Sequence, residues 1–119
     1  MFKGILREVV ENADGAVASI LMGFDGITVD SYASENSGVD METVGSEYSQ
    51  VLAQIKQAAQ MLDMGTASEV AVQAENMTTL MRLLNDEYFV AVAMRPQGNV
   101  GKARYLLRTQ APKLLENLT

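Results

Sequence analysis

The chain has 119 residues, 48% of them hydrophobic and 20% charged, and its formal net charge is −6. This length suits one hydrophobic core rather than two, and the composition is that of a folded chain. The negative charge disfavours nucleic acid and anionic membranes as partners, because both bind basic surfaces. The chain contains no Cys and no His, which excludes disulfides, thiolate nucleophiles, imidazole bases and nearly all transition-metal sites with nitrogen or sulfur ligands.

The N-terminal segment carries charges among its apolar residues. Met1–Val10 includes Lys3, Arg7 and Glu8, so we do not expect a signal peptide. The sequence also has no uncharged apolar run of about 18 residues, the length that a membrane span requires. We therefore predict a cytoplasmic protein with no membrane partner.

Charge is distributed unevenly along the chain. Five basic and no acidic residues lie from Arg95 to Lys113, whereas nine acidic and no basic residues lie from Glu8 to Glu47. The simplest interpretation is that the basic side chains solvate a final helix and favour the C-terminal end of its dipole.

The first elements are predicted to be a helix and a hairpin. Apolar residues recur at helical spacing over Met1–Glu11, and turn-forming residues follow. Ala16–Met22 is a mostly apolar strand, and Ile27–Tyr32 reads as its alternating partner strand. The Asp-Gly pair between them predicts a β-hairpin with a two-residue turn, in which Gly26 supplies the positive φ.

A long helix over Asp40–Leu62 is the most strongly marked element. Asp40 is suited to cap its first turn, and Gly65 is predicted as the C′ residue after its end. Its apolar stripe consists of Met41, Val44, Tyr48, Val51, Ile55, Ala58 and Leu62, with Gly45, Leu52 and Ala59 beside it.

The other face of this helix is polar but nearly uncharged. Its residues are Ser46, Ser49, Gln50, Ala53, Gln54, Gln57, Gln60 and Met61. One interpretation is a solvated, Gln-rich face. The other is that a partner covers part of it, because the cores of interfaces are depleted in charge.

Three strands and a helix complete the chain. The predicted strands are Glu69–Ala74, Met77–Leu84 and Glu87–Arg95. The short polar turns between them favour an antiparallel meander. An amphipathic helix follows from Val100, with a kink or break near Gln110 because Pro112 removes a backbone hydrogen bond. The fold class is therefore α+β, with one antiparallel sheet and helices on both faces.

Three segments, spread over most of the chain, resemble the roadblock/dynein-light-chain domain. They are ASILMGFDGITV at Ala18–Val29, YFVAV at Tyr88–Val92 and NVGKARYLLR at Asn99–Arg108. The resemblance implies a single roadblock/profilin-like domain over residues 1–119, with five antiparallel strands in the order α-β-β-α-β-β-β-α. The bacterial proteins that the chain resembles act as homodimers with Ras-like small GTPases, and the gliding-motility regulators among them stimulate GTP hydrolysis. The implied function is a non-catalytic homodimer that binds a Ras-like small GTPase and modulates its nucleotide cycle.

The resemblance also implies which surfaces are used. In the family, the long second helix and the third strand form the dimer, and two sheets join edge to edge. The strand Glu69–Ala74 has no Lys or Pro to blunt such an edge. The expected dimer interface is Tyr48, Val51, Leu52, Ile55, Val70 and Val72, and the expected GTPase-binding residues are Ser46, Ser49, Gln50, Gln54 and Gln57.

No catalytic site, metal site or cofactor is predicted. Asp25 and Asp30 flank the hairpin turn, but the turn needs Asp25, and Asp30 suits the solvent side of a strand. The sequence has no G-x-x-x-x-G-K phosphate loop, so the chain is not itself an NTPase of that type. No loop frames any of the arginines considered as an arginine finger, which are Arg82, Arg95, Arg104 and Arg108. Two alternative functions are a static dimeric adaptor and a small-molecule-sensing domain. The small number of aromatic residues counts against the sensing domain.

Overall fold

The computed structural model describes residues 1–118. The fold is built on a five-stranded antiparallel sheet with the strand order β2-β1-β5-β4-β3. Its strands are β1 (Ala16–Gly23), β2 (Thr28–Ala33), β3 (Glu69–Gln73), β4 (Thr78–Leu83) and β5 (Tyr88–Met94), and its helices are α1 (Phe2–Asn12), α2 (Met41–Met61) and α3 (Val100–Glu116). The predicted α+β class and element order are confirmed, and each predicted boundary lies within two residues of the observed one.

The two faces of the sheet carry separate cores. Helices α1 and α3 pack on one face, whereas α2 packs on the other, against β1 and β2. The side chains of β5 alternate between the two cores: Val90 and Val92 join the α1/α3 core, and Phe89 and Ala91 join the α2 core. Because β5 is buried on both faces, its sequence is a nearly continuous apolar run.

The start of α2 is fixed by its cap. The Asp40 carboxylate accepts hydrogen bonds from the Thr43 hydroxyl at 2.8 Å and from the Thr43 amide at 3.3 Å. These hydrogen bonds hold the pKa of Asp40 below its ordinary value, because they favour the ionised carboxylate. The capping role predicted for Asp40 is therefore confirmed.

The end of α2 differs from the prediction. The Asp63 amide donates to the Gln60 carbonyl and the Met64 amide to the Ala59 carbonyl, at 3.1 and 2.9 Å. This is a Schellman motif whose C′ residue is Asp63, with φ 56°, so the assignment of Gly65 to this position is wrong. Asp tolerates the left-handed conformation better than most residues, so the helix ends without waiting for the glycine.

The predicted two-residue hairpin turn and the predicted break in the last helix are also wrong. The hairpin forms, but Gly23 and Ile27 are its last bonded pair, so three loop residues rather than two connect the strands. Gly26 has the expected positive φ, 85°, at the third loop position. Helix α3 continues through Pro112 without a break. The carbonyl that Pro112 leaves without a helical donor belongs to Arg108, an exposed residue that water can hydrate.

The turn after α1 packs against the turn before α3, and Gly15 allows this close approach. The Gly15 carbonyl accepts from the Arg95 amide at 2.8 Å, and the Asp14 carbonyl accepts from the Asn99 amide at 2.7 Å. Gly15 has φ 90°, and a Cβ atom there would lie 2.4 Å from the Gly98 Cα. Any side chain at this position would therefore force two backbone segments apart.

We expect Gly15→Ala to lower the free energy of unfolding by about 2–4 kcal/mol, through left-handed strain plus the backbone clash. Gly38→Ala is the matched control, because Gly38 also has a positive φ but nothing lies within 4 Å of its added Cβ. It should cost about 1–2 kcal/mol. Urea denaturation at one fixed protein concentration measures both values. Equal losses would show that the contact with Gly98 contributes nothing.

Candidate functional site

Helix α2 presents a polar outer face to solvent. Ser46, Gln50, Gln54 and Gln57 follow one another at spacings of four, four and three residues, so they share one side of the helix. All four side chains are exposed. We call these four residues the outer face of α2, and it carries no charged side chain.

Ser49 does not belong to this face, although the sequence analysis assigned it there. Its side chain is only 2% exposed, and its hydroxyl donates to the Ser46 carbonyl at 2.7 Å. The hydroxyl is satisfied by the helix backbone itself, which lets a small polar residue turn toward the sheet. Ser49 therefore has no accessible surface for a partner, and that part of the prediction is corrected.

A second, apolar face of α2 lies beside the outer face. Val44, Tyr48, Val51 and Ile55 follow one another at spacings of four, three and four, and we call them the side stripe. Tyr48 and Ile55 are half-buried, and Val51 is 45% exposed. Val44 is predicted as part of the helix stripe but not of the dimer interface. Its spacing of four residues from Tyr48 indicates that both lie on the same side of the helix.

The side stripe borders a groove of about 460 Å³. Its lining consists of Thr43, Val44, Glu47, Tyr48, Val51, Ala74, Met77 and Thr79, so α2 forms one wall and the β3–β4 hairpin forms the other. The groove exists because α2 packs against β1 and β2, at the opposite end of the sheet from β3. Pairing of Val70 with Met81 and of Val72 with Thr79 puts both valines on the α2 side of β3, where they are half-buried.

Leu52 lies under α2 rather than on its side stripe. It is 0% exposed and belongs to the core between α2 and the sheet. A residue that is already buried within one subunit has no surface left for a second subunit, so Leu52 is removed from the predicted dimer interface. The other predicted residues of that interface remain at least partly accessible: Tyr48, Val51, Ile55, Val70 and Val72.

The two edge strands of the sheet differ in protection. On β2, the Ser31 amide donates to the Asp30 side chain at 2.8 Å, and Lys3 donates to the Ser31 carbonyl at 2.5 Å. Burial opposes ionisation of Asp30, but the Ser31 amide and the Lys3 ammonium together lower its pKa. Within residues 1–118, no side chain bonds in this way to the backbone of Glu69–Gln73. The β3 edge therefore keeps backbone groups free for strand pairing.

Three exposed apolar residues follow the side stripe at the C-terminal end of α2. Met61, Leu62 and Met64 have exposures between 65% and 76%. The sequence analysis placed Leu62 in the helix stripe and Met61 on the polar face, and it assigned neither to an interface. The apolar stripe of the helix is therefore followed by apolar side chains that are exposed in the single subunit.

Lys56 anchors α2 from the side away from the groove. Its ammonium donates to the Asp86 carbonyl at 2.9 Å and lies 4.0 Å from the centre of the Phe24 ring. Between Tyr48 and Met61, Lys56 is the one charged residue of α2, and it is thus engaged with two turns of the sheet.

Both acidic residues that flank the hairpin turn, and one of the arginines considered as an arginine finger, have structural contacts. Asp25 accepts from the Ile27 amide at 3.0 Å and Asp30 pairs with Lys3 at 3.2 Å, so neither is spare for chemistry. Arg104 bonds to Glu69 at 2.9 Å, on the face of the sheet opposite α2. Residues 1–118 contain no cluster of three acidic side chains that could hold a metal ion. Over the same residues, no helix has the length and apolar composition that a membrane crossing requires.

Comparisons with known proteins agree with this architecture. Neither the protein-family models nor the curated proteins gave a match. Among solved structures, MglC from Myxococcus xanthus is 42% identical, with 98% of each chain covered and a TM-score of 0.71.

Two more distant structures share the fold alone. MglB from Myxococcus xanthus is 13% identical, with 98% of this chain and 95% of that chain covered and a TM-score of 0.82. A Roadblock/LC7 domain from Streptomyces avermitilis is also 13% identical, with 95% and 97% covered and a TM-score of 0.76. Since the identity to MglC extends over nearly the whole of both chains, this protein belongs to the roadblock family together with MglC.

Proposed function

We propose that the protein is a homodimer that binds a Ras-like small GTPase on the outer face of α2 and modulates its nucleotide cycle. The observation that carries this proposal is that α2 has two accessible faces of different chemistry, side by side: an apolar side stripe over a groove, and an uncharged outer face. The resemblance to bacterial roadblock proteins implies small-GTPase regulation, and the 42% identity to MglC supports that resemblance.

The β3 edge and the groove together support the proposed dimer. The unprotected backbone of β3 can pair with a second β3 strand, which extends the sheet across both subunits. Val70 and Val72 lie on the α2 side of β3, and their half-buried side chains gain burial when a second subunit arrives. Pairing at this edge also brings a second α2 toward the side stripe.

Symmetry determines how the two helices meet. A dimer with identical contacts on both subunits has a two-fold axis, and two helices related by an axis perpendicular to them run antiparallel. The exposed apolar end of one α2 helix, at Met61–Met64, then approaches the beginning of the other. That beginning is where Val44 and Tyr48 line the groove. The proposed dimer thus supplies apolar cover to residues that are exposed in the single subunit.

We expect Val51→Glu to weaken the dimer on the order of a hundredfold, because it buries an unpaired carboxylate in an apolar contact. Ala53→Glu is the matched control: it adds the same charge to the same helix at an exposed position off the side stripe, and should leave the dimer intact. Sedimentation equilibrium should give twice the 12.9 kDa subunit mass for the parent and the control. A parent chain that remains monomeric would contradict the proposed dimer.

The outer face determines what kind of regulation is proposed. It offers hydroxyl and amide groups but no cation, and Arg104 is engaged with Glu69 on the other side of the sheet. A GTPase bound there therefore receives no arginine finger from α2. The dimer would instead act by holding the switch loops of the GTPase in one arrangement, which alters hydrolysis or exchange through positioning.

Replacing Gln54 and Gln57 together by Lys should weaken GTPase binding about tenfold or more, because two desolvated ammonium groups would lie in an uncharged contact. The fold should be unaffected, since both side chains are exposed. Isothermal titration calorimetry with a Ras-like small GTPase from the same organism measures the change, and circular dichroism checks the fold. Unchanged affinity would mean that this face is merely solvated.

The decisive experiment mixes that GTPase with the parent protein and follows GTP hydrolysis and nucleotide release. A changed rate supports regulation, whereas binding with unchanged rates favours a static adaptor. The groove supports one further candidate, a small apolar ligand, because its volume of about 460 Å³ and its largely apolar side chains suit one. Native mass spectrometry of the purified protein distinguishes this case by the mass of a retained metabolite.

A further inference from the structure

The exposed face of α3 combines one aromatic ring with unusual charge. Tyr105 is 50% exposed and lies between Lys102 and Arg108, three residues to either side. The Lys102 ammonium lies 5.6 Å and the Arg108 guanidinium 5.7 Å from the centre of the Tyr105 ring. Both cations therefore lie within cation–π distance of the same ring, and both residues are exposed.

These cations lack acidic partners. On the same helix, Arg104 is neutralised by Glu69 at 2.9 Å. Within residues 1–118, no carboxylate lies within salt-bridge distance of Lys102, Arg108 or Lys113. A helix whose charges merely solvate it usually alternates acidic and basic residues at spacings of three or four. Here the face is basic from its first turn almost to its end, where Glu116 closes it.

We infer that this face of α3 binds an acidic segment of a partner protein. Cations on either side of an exposed tyrosine suit a segment in which carboxylates are interspersed with an apolar side chain. The guanidinium donates hydrogen bonds to a carboxylate, and the ring packs against the apolar side chain. The distance from Lys102 to Lys113 is about 16 Å along the helix, the length of about five extended residues or three helical turns. A short segment is therefore sufficient.

The rest of the chain argues against nucleic acid as the ligand. The net charge is −6, so a long polyanion that extends past this face meets a repulsive surface. A short acidic segment avoids that repulsion because it ends where the basic face ends. The face is also on the opposite side of the sheet from α2, so the inference is independent of GTPase binding.

The experiment measures fluorescence anisotropy of a short labelled peptide in which glutamates alternate with leucines, with a glutamine-for-glutamate peptide as the reference ligand. The parent protein should bind the acidic peptide, and the affinity should fall steeply between about 50 and about 300 mM sodium chloride as the charges are screened. Lys102→Gln combined with Arg108→Gln should weaken binding about tenfold. Tyr105→Ala should weaken it about threefold.

The control variant combines Gly4→Glu with Gln60→Glu, which changes the net charge from −6 to −8, as the α3 double variant does. It should bind like the parent, because both sites are exposed and lie outside α3. An equal loss of peptide affinity in this control would show that overall charge causes the effect, and it would overturn the inference. Equal binding of the glutamine peptide would also overturn it, as would tighter binding of a single-stranded oligonucleotide or of anionic vesicles in the same assay.

Discussion

The contact between α2 and β1 determines most of what this molecule offers to a partner. Gly45 faces Met22 and Ile20 across this contact, and a Cβ atom at Gly45 would lie 2.9 Å from the Met22 methyl group. The missing side chain lets the helix sit low over one half of the sheet, with Leu52 fully buried beneath it. A single helix cannot cover five strands, so the other half, at β3 and β4, is left with an open groove.

The same contact determines which parts of the α2 surface stay exposed. With one side of the helix committed to the sheet, the remaining surface separates into an apolar part that borders the groove and a polar part that faces away from it. Lys56 reinforces this orientation by reaching the turns on the far side. The proposed function therefore depends on the angle at which the helix is held on the sheet.

Much of the fold could be predicted from the sequence because its signals are local. The periodic stripe of α2, the Asp40 cap and the unbroken apolar run of β5 each correspond to one physical cause, and the structure confirms all three. Helical spacing alone also predicted that Gln50, Gln54 and Gln57 share one side of α2, and all three are exposed.

The errors arose where a residue's surroundings decide its role. Leu52 and Val51 are adjacent in the stripe, but only the tilt of the helix on the sheet determines which one is buried. Ser49 looked like a surface residue because its polarity does not reveal that the backbone satisfies it. The end of α2 at Asp63 depended on which of two residues first adopts a left-handed conformation, and propensity favoured the later glycine.

Protection of β2 has a consequence for the stoichiometry of assembly. A subunit with two open sheet edges could add a neighbour at each and grow into a fibre of indefinite length. Because Lys3 and Asp30 bond to the Ser31 backbone on β2, the β3 edge is the less protected of the two. In the proposed dimer, two-fold pairing through β3 uses that edge on both subunits, so the shared sheet would be limited to two chains.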